Sequence, residues 1–246
     1  IMASFRKEFS LDKIDVQGSY IGIFEEPGGE GNFVINCFIW ESLREQDGAC
    51  CLLSLKHSIN HYFHIGMKLG YNLTNQKSRA IVLEALRALF ESNKDQNFFN
   101  MLDETGLKKL FHIIKDKCEH LLQNYKKVYL IIDDLSYLLS AGFPIKSIII
   151  FGHYLRTLQK MNITIVVLTH YSEEDRETLI IKSFLEQNSD INFHVAPLRT
   201  GAAQDISGVI TMKRKANVLE NFAESIVYHY KLTERNIKLF PPGCVK

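Results

Sequence analysis

Val128-Tyr129-Leu130-Ile131-Ile132-Asp133-Asp134 and Ile163-Thr164-Ile165-Val166-Val167-Leu168-Thr169-His170 are apolar runs without alternation, each closing on polar residues. A strand with one wet face alternates apolar and polar side chains, whereas a strand buried on both faces reads like these two. Between them, residues 144–160 place apolar side chains at helical spacing, with Pro144 suited to the first turn. Buried strand, helix, buried strand is the unit of a parallel sheet covered on both faces.

The same rhythm extends toward both ends of the chain. Residues 20–24 are a short apolar run ending in a Pro/Gly turn, and residues 32–43 read as a helix apolar nearly all round. Residues 49–55 form a second buried strand, a helical stretch continues to about Lys68, and a third strand falls near residues 80–83. Leu107, Leu110, Phe111, Ile114, Cys118, Leu121, Leu122 and Tyr125 keep i, i+3, i+4, i+7 spacing, so Lys108, Lys109, Lys115 and Lys117 are the solvated face of a helix. Residues 193–195, 206–212, 225–232 and 235–240 are separated by turn residues and predict an antiparallel tail that ends in a hairpin across residues 233–236. The expected fold is α/β, a mostly parallel sheet flanked by helices with C-terminal antiparallel strands, which is the layout of RecA-like domains. No linker or repeat interrupts it, so residues 1–246 are expected to form a single domain, with residues 1–17 a poorly ordered or peripheral segment.

Composition narrows the function. The chain has 246 residues, 46% of them apolar, enough for a substantial core. Its 29 Lys and Arg nearly cancel 28 Asp and Glu to leave a net charge of +1, so a polyanion must be met by a local patch and not by a global field. The longest apolar stretches fall far short of the roughly 18 residues of a membrane span, and no apolar core of signal-peptide length opens the chain. Neither a membrane protein nor a secreted one is expected. Five cysteines without a C-x-x-C pair fit reduced, mostly buried thiols in the cytoplasm or nucleus.

In this layout nucleotide phosphates would sit in the first strand-loop-helix unit, cradled by loop amides and the helix N-terminus. Here that unit reads Phe24-Glu25-Glu26-Pro27-Gly28-Gly29-Glu30-Gly31-Asn32-Phe33. With Gly31 as the last glycine of G-x-x-x-x-G-K-[ST], Glu26 replaces the first glycine, Asn32 the lysine and Phe33 the magnesium-binding hydroxyl. Glu25, Glu26 and Glu30 also bring carboxylates to the place where a triphosphate needs cations. Each such contact at about 4 Å costs on the order of 4 kcal/mol at an effective dielectric near 20. Tight ATP binding by this chain is not expected. Asp133-Asp134 matches the acidic strand end that holds magnesium in phosphate-loop enzymes, but many parallel strands end in Asp for capping or loop reasons. His57, His61 and His64 could share a helix face, yet no nearby Cys completes a ligand set, and they read as histidines that cap, stack or meet a partner. No catalytic nucleophile and no metal site is expected.

Two stretches carry a resemblance. Ser58-Ile59-Asn60-His61-Tyr62-Phe63-His64-Ile65-Gly66-Met67-Lys68-Leu69-Gly70-Tyr71-Asn72-Leu73 resembles the S-x-x-H-Y-x-x-x-G-x-K-L-G-x-x-L segment of the Elongator complex protein six family. Leu130-Ile131-Ile132-Asp133-Asp134-Leu135-Ser136-Tyr137-Leu138-Leu139-Ser140-Ala141-Gly142 is similar to its L-x-x-D-D-L-S-x-L-L-x-x-G segment. Weaker similarity runs through residues 151–156 and 200–208, and the altered phosphate loop agrees, since the family lacks the Walker lysine. The resemblance implies a non-catalytic RecA-like subunit of a hetero-hexameric accessory ring. Two copies each of three related chains would form the ring, which binds tRNA and serves the larger Elongator catalytic subcomplex in wobble-uridine modification. It further implies no cofactor bound by this chain alone, ATP at subunit interfaces of the ring, and a place in cytoplasm and nucleus.

Residues carry over unevenly. Asp133 and Asp134 match a family motif whose role can be to hold the loop at residues 135–142. That loop and residues 171–178 follow adjacent core strands, where RecA-like rings face their central channel, although Glu173, Glu174, Asp175 and Glu177 make the second one poor at gripping phosphate. Lys213-Arg214-Lys215 is the best cationic cluster for RNA or a neighbouring subunit's nucleotide, against a solvated strand end. Two other readings stand beside the ring subunit. One is an active RecA-like ATPase with an atypical loop or a shared interface site; the other is an inactive recombinase paralogue acting on DNA.

Overall fold

A computed structural model describes residues 2–85, 102–199, 205–215, 224–233 and 236–243. Thr200 and Gly201, the turn residues Glu234 and Arg235, and Cys244 lie outside the described residues. The described strands are β1 (Tyr20–Glu25), β2 (Gly48–Ser54), β3 (Ala80–Glu84), β4 (Lys127–Asp133), β5 (Thr164–His170), β6 (Ile191–Ala196), β7 (Gly208–Arg214), β8 (Glu224–Thr233) and β9 (Asn236–Phe240). They form one sheet in the order β3-β2-β4-β5-β1-β6-β7-β8-β9. The first six are mutually parallel, and β7, β8 and β9 continue antiparallel.

Every residue of β1 and β2 is buried, as the unbroken apolar runs require. One face of the sheet is covered by α1 (Met2–Glu8), α2 (Asn32–Arg44) and α3 (Ile59–Leu69), the other by α4 (Glu104–Leu122), α6 (Ile145–Thr157) and α7 (Arg176–Asn188), while α5 (Tyr137–Ser140) is a single turn. The α4 stripe is buried at Leu107, Leu110, Phe111, Ile114, Cys118 and Leu121, with Lys108 and Lys117 exposed. Cys37, Cys50, Cys51 and Cys118 are buried. Among the described residues no helix is long and apolar enough to cross a membrane.

Three expectations are corrected. Residues 193–195 were expected to open the antiparallel tail, but β6 pairs in parallel with β1, Phe193 beside Ile23, and is antiparallel only toward β7. The crossover helix that makes this possible is α7, whose fully buried apolar stripe is only Ile181 and Leu185, too narrow to read from periodicity. The loop expected at residues 171–178 is correspondingly shorter, since α7 starts at Arg176. Asp175 caps α7 by accepting from the Glu177 amide at 3.0 Å, and Glu177 stands in the first turn where the helix dipole favours a carboxylate. The acidic cluster therefore starts a helix. Lastly, the N-terminal segment is not peripheral. Phe5 and Phe9, one helical turn apart, are buried, and the Phe9 ring meets Phe193 and Tyr228 edge-on at 5.4 Å each. Such burial contributes about 1.5–3 kcal/mol per side chain and ties this segment to the core.

Candidate functional site at the ends of the parallel strands

The parallel strands β1, β4 and β5 end side by side, placing Glu25, Asp133 and His170 along one edge. Glu25 is buried, and its Oε2 accepts from the Gly31 amide at 2.5 Å, at the start of α2. A helix N-terminus presents unpaired amides and partial positive charge, the feature that draws phosphate in nucleotide-binding loops. Here a carboxylate of the chain itself stands at the first of those amides. A Cβ at Gly31 would lie 2.8 Å from Glu25 Oε2 and 3.0 Å from the Leu168 side chain, so a larger residue here would have to push the Glu25 carboxylate aside.

The second oxygen of Glu25 lies 2.5 Å from His170 Nε2, and His170 Nδ1 lies 2.5 Å from Asp134 Oδ2. Burial alone would lower the pKa of His170, but Asp134 and Glu25 carry it up to about 9, so the ring is charged at neutral pH. Burial would raise Asp134, yet His170, Ser136 and Lys56 outweigh it and hold the carboxyl below its usual range. Asp134 Oδ1 also accepts from the Ser136 amide at 3.1 Å and hydroxyl at 2.6 Å, which fixes the loop after β4. Lys56 Nζ, 3.2 Å from His170 Nε2, adds a second cation. The carboxylates are thus balanced within the chain.

Asp133 belongs to a second network. Its Oδ2 faces His57 Nδ1 at 2.7 Å and accepts a hydrogen bond from the Tyr62 hydroxyl. Burial, then the Asp133 charge, pushes the Tyr62 phenol well above its ordinary range, so it remains a donor. Asn32 Nδ2 donates to the same hydroxyl at 3.2 Å, Asn36 Nδ2 donates to Asn32 Oδ1 at 2.9 Å, and Tyr71 donates to Asn36 Oδ1 at 2.6 Å. Asn32, at the lysine position of the loop, therefore points along α2 into this chain of side chains. Phe33, at the hydroxyl position, is buried with its ring 4.9 Å from that of Tyr230. Glu26 turns the other way, and its Oε1 accepts from the Tyr171 hydroxyl at 2.8 Å. His57 and His61 stack with centroids 4.1 Å apart, and among the described residues no group of three or more His, Cys, Asp or Glu is arranged to hold a metal.

A cavity of about 400 Å³ opens above these networks, walled by α2, by the α3 stripe His61, Ile65, Lys68 and Leu69, and by Leu232, Thr233 and Ile237. The Lys213-Arg214-Lys215 cluster stands elsewhere and is not one patch. Alternation along β7 puts Lys213 on the face of Thr211 and Arg214 on the face of the buried Met212, while Lys215 Nζ donates to the Gln187 carbonyl. Sequence reasoning missed the Glu25, His170 and Asp134 linkage. Its only signal was three polar residues at the ends of strands whose adjacency had to be known first.

The Ser58–Leu73 and Leu130–Gly142 stretches meet through the hydrogen bond from Tyr62 to Asp133. A family model described as "Elongation complex protein 6" matches residues 8–234. The chain belongs to this family. Members similar to it include Elongator complex protein 6 of Rattus norvegicus, 28% identical over 232 residues with 87% of each chain covered, and that of Drosophila melanogaster, 25% identical over 230 residues with 91% of this chain and 90% of the other covered. A solved structure of a KaiC-like protein from Pyrococcus horikoshii superposes with a TM-score of 0.64 at 10% identity, covering 92% of this chain and 90% of that one. This likeness concerns the fold alone, which is RecA-like.

Proposed function

We propose that this family member is a non-catalytic RecA-like subunit of the Elongator complex. In this reading it joins two related RecA-like chains in a hetero-hexameric accessory ring, which binds tRNA and supports wobble-uridine modification by the larger catalytic subcomplex, in cytoplasm and nucleus. The observation that supports it best is the Glu25 carboxylate on the Gly31 amide, with Asn32 tied to Tyr62 and Asn36. A triphosphate would have to displace a buried anion, with no lysine at the motif position to replace the lost His170 pairing. The chain alone then holds no nucleotide, and any ATP sits at interfaces with neighbours, with Lys213, Arg214 and Lys215 the candidate contacts.

The test is titration of the purified chain with labelled ATP and magnesium, followed by phosphate release. Binding weaker than about millimolar and no turnover are expected, because the Glu25 carboxylate already occupies the Gly31 amide and repels a phosphate. Micromolar binding that disappears in Asp133→Ala would favour the active-ATPase reading instead. The recombinase reading is disfavoured by the acidic Glu173, Glu174, Asp175 and Glu177, of which Asp175 caps α7.

A further inference from the structure

The sheet face that carries α7 has a second concave site, which reaches Glu26 at the end of β1. Helix α7 packs over β1 and β5 and stops short of β7 and β8, where Val209 and Thr211 stay partly exposed and Lys213 and Val227 exposed. The registers set His194 opposite Thr211 and Val209 opposite His229, so these side chains share one face, with Lys213 two residues beyond Thr211. Together with Arg199, after β6, and Glu26 at the rim, they line a groove of about 620 Å³.

The chemistry of this groove is that of a donor site. His194 and His229 stand on its wall, each with one ring nitrogen, Nε2 and Nδ1 respectively, buried. The nearest charged oxygen to His194 Nε2 is Glu186 Oε1 at 3.3 Å, and Lys182 also draws on that carboxylate at 3.4 Å. The cations Lys213 and Arg199 exclude a metal ion, and the imidazoles, the Thr211 hydroxyl and the two cations supply converging donors with few acceptors. Tetrahedral anions with several acceptor oxygens match that set. We propose that this groove is a binding site for a phosphate group, held by Lys213 and Arg199 and by hydrogen bonds from His194, His229 and Thr211. Two cations, Lys213 and Arg199, against Glu26 leave one net positive charge, which suits the monoanion of a phosphodiester better than a terminal phosphate dianion. The site is built from this chain alone and stands whether or not the ring reading holds.

The test uses the full chain with isotope-labelled histidines, alone or co-assembled with unlabelled relatives, and follows the ring signals by NMR at low salt. Three probes are titrated: an oligouridylate without terminal phosphates, inorganic phosphate, and ATP without magnesium. The His194 and His229 signals should shift together, and the oligonucleotide should act at the lowest concentration. A response to phosphate and ATP alone would still uphold a phosphate site but assign it to terminal phosphates. The exposed substitutions Lys213→Ala and Arg199→Ala should each weaken the effect about tenfold, as expected for loss of one charge-assisted contact. Silence of both histidines toward all three probes, or unchanged affinity in the double substitution, would overturn the proposal.

Discussion

The Tyr62 hydroxyl donates to Asp133 Oδ2 across 71 residues of sequence, and both side chains are fully buried. This bond joins α3 to the end of β4, and with His57 it is what Asp133 has for partners, since Oδ1 has no hydrogen bond. Tyr62→Phe removes the donor while keeping the ring. It should lower stability by about 1–3 kcal/mol, the cost of stripping a partner from a buried carboxylate, read as a lower urea midpoint at unchanged m-value. An unchanged midpoint would mean that Asp133 finds another donor.

The glycines of the Ser58–Leu73 stretch separate two physical effects. A Cβ on Gly66 would lie 2.5 Å from the Tyr71 ring and 2.9 Å from the Tyr71 carbonyl, and that ring is anchored through its hydroxyl to Asn36. Gly70 has open space around it but a φ of +92°, the left-handed cap of α3. Gly66→Ala should therefore cost about 1–3 kcal/mol by overpacking and loosen the Tyr71 contact. Gly70→Ala should cost about 1 kcal/mol through backbone strain alone. Thermal melts of the two variants, with near-ultraviolet circular dichroism to follow the tyrosines, distinguish them: only the Gly66 variant should alter the aromatic signal.

His170 predicts a pH dependence. Its folded pKa of about 9 lies above the ordinary 6.5, so the stabilisation from its charged form is fully present below pH 6.5 and is lost as pH rises through 9. The ring is about a third exposed, so screening reduces the effect to roughly 2 kcal/mol. Asp134 works in the opposite direction. Its lowered pKa contributes stability above about pH 4 that is lost on further acidification. Urea midpoints measured from pH 6 to 10 should fall in the native chain and fall less in His170→Gln. Parallel profiles would show that the ion pairs with Glu25 and Asp134 are not what holds the strand ends.

Much of the fold was legible because burial on both faces leaves an unbroken apolar run, and β1, β2, β4 and β5 each carry one. β6 was placed in the wrong half because its crossover helix buries so little. Phe5 and Phe9 were passed over because two aromatics one turn apart are too few to show a period. At the site, sequence identified Asn32, Asp133 and Asp134 as departures or matches, since motif spacing is local. What those residues do instead depends on partners 30 to 76 residues away, such as Tyr62 for Asn32 and His57 for Asp133, and no local pattern encodes such a pairing. Glu25 was read only as a charge that repels phosphate, whereas it accepts the Gly31 amide.

Phe9 tests whether the N-terminal helix belongs to the core. The side chain is fully buried among Phe5, Phe193 and Tyr228, so Phe9→Ala should cost about 3–5 kcal/mol, enough to threaten folding at 37 °C. Phe9→Leu, which keeps most of the volume, should cost less than half as much. Equal stability of all three chains would return this segment to the periphery.

The final prediction concerns RNA and follows from the near-zero charge. With 29 cationic and 28 anionic residues, the isolated chain cannot hold tRNA by bulk attraction at physiological salt. A single phosphate groove with one net positive charge contributes only weak binding on its own. Repeated copies in one assembly act on the same polyanion, and their combined affinity can exceed that of one site by about 10² to 10⁴. Co-expression with the two related chains should therefore give a discrete ring of six that binds tRNA with strong salt dependence and little dependence on base sequence, while this chain alone shows no tight binding. Replacing Lys213 by Ala in the ring should reduce the slope of log affinity against log salt without dissociating it, because the side chain is exposed on β7 and holds no core contact. Tight tRNA binding by the lone chain at physiological salt would break the argument from charge. Unchanged salt dependence in the substituted ring would instead place the RNA contacts elsewhere, with the loop fixed by Asp134 and Ser136 the next surface to probe.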